Sequence, residues 1–229
     1  MEGNVASPGQ LVKVTAEILG IPEPTVILAD RFLSEAGLRS KSGRGRGAAR
    51  VTADDAANLL IALSGSPYPK DAVQNVVEYA ALPVDDMRDS DGRAETWTLV
   101  SLPIKRLQDL PANQSFRDTL VALLEAASED ELREAIAAVP EQDMGNGRKV
   151  PAAMFINITV AMFGPDPGAL IEISGLGFRN EARYGVVHEN LDDFLEWSMR
   201  HNGDQRRRIS FGLKTITAIG DLLAGRAPQ

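Results

Sequence analysis

The chain has 229 residues, 44% of them hydrophobic and 24% charged, with no cysteine and a formal net charge of −8. That is the composition of a globular protein able to bury a sizeable core, and the missing cysteines exclude disulfides, thiolate metal sites and thiol nucleophiles. No apolar run approaches the roughly 18 residues a membrane span needs, and the polar start "MEGNVASPGQ" lacks a signal-peptide layout, so a cytoplasmic protein without membrane contact is expected.

In chain order, "GQLVKVTAEILG" sets Leu11, Val14, Ile18 and Leu19 at helical spacing and stops at Gly20, which predicts a helix of about three turns. A second helix restarts in "IPEPTVILADRFLSEAGL": Pro24 suits a first turn, Val26, Ala29, Phe32 and Leu33 form one stripe, and Gly37 closes it. Only a short turn at residues 20–22 separates the two. Residues 40–50, "SKSGRGRGAAR", then carry Lys41, Arg44, Arg46 and Arg50 with no acid among them. After this loop Thr52 opens "VTADDAANLLIALSG", where Asp54 and Asp55 favour the positive end of a third helix.

The acidic, turn-prone "LPVDDMRDSDGRAET" at residues 82–96 marks an expected domain boundary or long loop, and "TWTLVSL" an expected strand. "SFRDTLVALLEAASEDELREAIAAV" reads as two helices, the second opened by a capping box of Ser128 and Glu131. The "GPDPG" reversal joins two strand-like runs into a hairpin. "FRNEARYGVV" offers a third strand, "NLDDFLEWSMRH" a short amphipathic helix, "RRRISF" a strand, and "LKTITAIGDLLAG" a closing helix. Trp97 and Trp197 read as core or interface anchors. His188 and His201 lack a metal-ligand spacing, the glycine clusters lack a phosphate-loop spacing, and the acidic runs read as solvated faces; no metal, cofactor or catalytic group is expected.

Helix, tight turn, helix and basic glycine loop follow the order of parts in a winged helix-turn-helix, in which the second helix enters the major groove and the wing meets phosphates. The stretch "AEILGIPEPTVILADRFLSEAGLRSKSGRGRGAARVT" resembles bacterial winged helix-turn-helix regulators, through its "LGI…TV…L.EAGL" block ahead of a wing. More narrowly it is similar to uncharacterised prophage DNA-binding proteins of alphaproteobacteria that continue into "DAANLLIAL". The resemblance covers the first third of the chain and implies double-stranded DNA as the partner.

The charge distribution points the same way, because residues 1–50 hold seven Lys and Arg against five Asp and Glu while the whole chain is acidic. Arg39, Lys41, Arg44, Arg46 and Arg50 are the candidate phosphate ligands, with glycine permitting close backbone approach. Glu23, Thr25 and Arg31 are the candidate base contacts. Ile27 and Leu28 fall where polar readers belong, and packing against another subunit is the alternative use for them.

The expected fold is α+β: a winged helix-turn-helix at residues 8–66, followed at residues 97–229 by an α+β body with a small antiparallel sheet that mediates self-association or partner contact. The expected function is non-enzymatic: a DNA-binding, homo-oligomeric transcriptional regulator of phage or prophage type. A DNA-packaging recognition subunit, resembling a small terminase, is the second DNA-binding reading. A small-molecule sensing or protein-interaction module is the alternative of another class.

Overall fold

The computed structural model describes residues 6–40, 50–89, 92–93, 97, 102–143, 145, 147–186, 188, 190–201, 203 and 206–227. Helix α1 (Pro8–Leu19) begins at a Ser7–Gln10 capping box with Pro8 in its first turn, and ends where Gly20 takes a left-handed φ of 65°. Helix α2 (Glu23–Glu35) follows at once, and helix α3 (Ala53–Gly65) starts at a Thr52–Asp55 capping box. Every residue of α3 except Asp54 is buried, because α3 runs through the middle of the molecule with α2, α4 (Ala72–Ala80), α6 (Phe116–Ser128) and the sheet around it. Its last turn has no room for a side chain: a Cβ on Gly65 would lie 2.6 Å from Cγ of Asn75, whose Nδ2 donates to the Ala62 carbonyl.

Among the described residues the main sheet has six strands, all pairing antiparallel, in the order β2-β1-β7-β6-β5-β8. These are β1 (Val84–Asp89), β2 (Gly92–Arg93), β5 (Asn157–Gly164), β6 (Gly168–Gly175), β7 (Phe178–Tyr184) and β8 (Arg207–Gly212). The "GPDPG" hairpin is present as expected, with Phe163 opposite Gly168. Ile158, Val160 and Met162 alternate inward against the helices, as a half-buried strand requires. The opposite face carries ions, where Arg179 bonds Glu172 and Glu181, and Arg183 bonds Glu181.

Two elements differ from the sequence expectation. The acidic stretch read as a boundary contains β1, which pairs with β7 in a register that sets Asp86 opposite Arg183 and Arg88 opposite Glu181. Cross-strand opposite charges make a strand of residues that look like loop by themselves. The Ser128 capping box does not form. Ser128 ends α6, its hydroxyl donating to the Glu125 carbonyl, and Asp130 at φ 65° leads into α7 (Glu131–Ala137). In the expected "TWTLVSL" strand only Trp97 and Leu102 are described, both buried; residues 96 and 98–101 lie outside the described set.

The expected split at residues 82–96 is not matched by a break in the core. One cluster of buried side chains runs from Leu11 and Val26 through Leu59 and Leu123 to Ile171 and Ile219. Helix α1 packs against the last helix, α9 (Leu213–Leu223), which lies on α6. Gly220 permits that contact, since a Cβ there would stand 2.5 Å from Cβ of Ala127. Arg226 then locks the end of α9 to α6, with Nε on Asp221 and Nη atoms on the Ala127 and Ser128 carbonyls. Short α5 (Lys105–Gln108) and a two-stranded ribbon of β3 (Gln142–Asp143) and β4 (Lys149–Val150) complete the body.

Helix α8 (Leu191–Arg200) stands apart, having no buried residue. It is held by Trp197, which donates Nε1–H to Asp166, and by His188, whose ring meets Phe194 and Trp197. Leu191, Phe194, Leu195 and Met199 remain exposed. Among the described residues no helix is long and apolar enough to cross a membrane.

Candidate nucleic-acid interface

Helix α2 is two-sided. Val26, Ala29, Asp30 and Leu33 are buried against the core. Glu23, Ile27, Arg31 and Glu35, spaced four apart, form an exposed row with Leu28 beside it. Ile27 is 50% exposed and Leu28 39%, so these apolar side chains face outward as the sequence suggested. Arg31 donates Nε–H to Glu35 Oε1 at 2.7 Å, an exposed pair that solvent and salt screen. A phosphate can displace Glu35 at little cost.

Arg39 differs, because its Nε lies 2.9 Å from Oδ1 of Asp30 and both side chains are largely buried. Burial pushes the Asp30 carboxyl above its ordinary range, Arg39 opposes that shift, and the nearby Asp55 adds to it. Arg39 is therefore committed to holding α2 onto the fold. Thr25 is half-buried and lines a cavity behind α2 instead of joining the exposed row. Glu23 is exposed at the start of α2, and Arg50 is exposed just ahead of α3. Lys41, Arg44 and Arg46 lie outside the described residues.

Both ends of the basic loop meet one carboxylate. Asp55 Oδ1 accepts from the Ser40 N–H at 2.7 Å and Oδ2 from the Thr52 N–H at 3.0 Å, while its own N–H donates to Thr52 Oγ1. Asn58, one turn on, donates to the Leu38 carbonyl at 2.7 Å and accepts from Arg117 Nε at 2.9 Å. Arg117 in turn pairs with Asp54. An open cleft of about 710 Å³ runs along this cluster, between the loop base and α4. The Val51 N–H bonds the Ala6 carbonyl, tying the far side of the loop to the start of α1.

Sequence reasoning found α2 and the loop but missed this clamp. Asp55 carried a readable signal as the third helical residue after Thr52; Asn58 and Arg117 carried none, since their partners lie twenty and fifty-nine positions away. No known protein family matches the chain, and searches of curated proteins and of solved structures likewise returned no match.

Proposed function

We propose that the chain is a double-stranded DNA-binding protein of the winged helix-turn-helix type, acting as a transcriptional regulator of phage or prophage kind. In this reading α2 enters the major groove and the basic loop grips phosphate. The observation that carries it is a pairing: the outward row on α2, and beside that helix the Asp55 carboxylate holding Ser40 and Thr52, which bracket the cation-rich sequence. Ile27 and Leu28 then suit thymine methyl groups, giving a readout that leans on apolar contact. Arg44, Arg46 and Arg50 supply sequence-independent affinity, and Arg31 joins them by releasing Glu35.

Self-association provides the second half-site in this reading. Its surface is α8, an exposed helix too short to persist on propensity alone. A second copy laid antiparallel across it would bring Leu195 against Leu195 and set the acidic first turn, Asp192 and Asp193, against Arg200. Leu195→Glu should turn a dimer into a monomer by mass measurement; a wild-type monomer at all concentrations rejects this surface.

The test of DNA binding is a salt series on mixed-sequence duplex DNA, comparing the intact protein with the Arg44→Ala, Arg46→Ala, Arg50→Ala variant. Affinity should fall steeply with salt, and the variant's log–log slope should be shallower by about one unit for each arginine that had neutralised a phosphate. Failure of the intact protein to bind at low salt rejects the reading.

A further inference from the structure

Behind α2 lies a second, more enclosed cavity of about 390 Å³. Its walls are Leu19, Ile21 and Pro22 from the α1–α2 turn, Leu63 from the end of α3, and Ile209 and Phe211 from β8. Among the described residues no charged side chain lines it, and its polar positions are Thr25, Ser64, Ser66 and Ser210. Volume and chemistry match those of small-molecule sites, which are concave, mainly apolar and provided with a few hydrogen-bonding groups.

The walls are also rigid. Pro22, Pro67 and Pro69 fix the backbone of two of them. Ser66 secures the segment between the latter two, its hydroxyl donating to Asp71 Oδ2 at 2.6 Å and accepting from the Tyr68 N–H. A preformed, uncharged pocket loses little on binding an apolar molecule and penalises an ion, which would be buried there without a counter-charge.

From these features we infer that this cavity binds an uncharged, largely apolar small molecule carrying a hydroxyl or carbonyl group. The occupant would touch Ile21, Pro22 and Thr25, the turn and first turn of α2, and so bias how the helix is set. That regulatory consequence rests on the DNA-binding reading above; the binding site itself does not.

Two neutral probes, 2-naphthol and 1-octanol, would be tested against their charged counterparts, naphthalene-2-sulfonate and octanoate, on the full chain without DNA. A neutral probe should raise Tm, shift the methyl resonances of Leu19, Ile21, Leu63 and Ile209, and bind at least about tenfold more tightly than its charged counterpart. Ile209→Trp, which fills the cavity from a half-buried strand position, should abolish binding; the methyl shifts locate the probe even if that variant folds poorly. Failure of both neutral probes, equal binding of the ions, or shifts centred elsewhere overturns the site. DNA affinity measured at probe saturation should change by about fivefold or more, and an unchanged affinity overturns the coupling. A protein that binds probe but no DNA keeps the cavity and loses the regulator.

Discussion

The Asp55 carboxylate caps α3 and also accepts from Ser40, so one side chain holds described residues on both sides of the basic segment. Asp55→Ala removes two charge-assisted acceptors, one of them the reciprocal half of a capping box, and should cost about 1–3 kcal/mol in urea unfolding. DNA affinity should fall with it although no proposed contact is altered. Asp30 gives a pH signature. Its folded pKa lies above the unfolded value of 3.8, so through that interval the native state holds the extra proton, and stability falls as pH rises across it. Asp30→Asn should flatten that part of the curve of urea midpoint against pH. Burial also explains why Arg39 reads as a phosphate ligand in the sequence: a cation beside a basic loop looks available until Asp30, nine positions earlier, is seen on the same buried side.

At the scale of elements, legibility followed locality. Helices α1, α2 and α3 announce themselves through apolar spacing and caps within a few residues, and the β5–β6 hairpin through its own turn. Strand β1 does not, because what makes Asp86 and Arg88 acceptable in a strand is β7, almost a hundred positions later. The box at Ser115 and Asp118 was as readable as the false one at Ser128, and it is the one that forms. The α6–α9 contact also escapes sequence reading, since nothing nearby says that Gly220 faces Ala127. Gly220→Ala should lose about 1–3 kcal/mol by overpacking, against the usual gain of replacing glycine inside a helix, as urea unfolding will register.

For the whole molecule, the α+β class and an antiparallel sheet follow from the order and period of the segments; which segments share a core does not. The acidic stretch at residues 82–96 changes composition without separating two cores, because Met87 of β1 faces inward with Ala182 beside it. A fragment of residues 1–66 leaves α3 without α4, α6 and the sheet, and α1 without α9. It should therefore show little cooperative melting by circular dichroism and, on the proposed DNA-binding reading, bind DNA far more weakly than the full chain. The packing of α1 on α9 also sets a schedule for synthesis. Helix α1 is translated well ahead of α9, the helix it packs against. Until α9 is made, α1 lacks the face it rests on, while α2 already has α3 and α4 to pack against, so the two helices settle at different stages of synthesis.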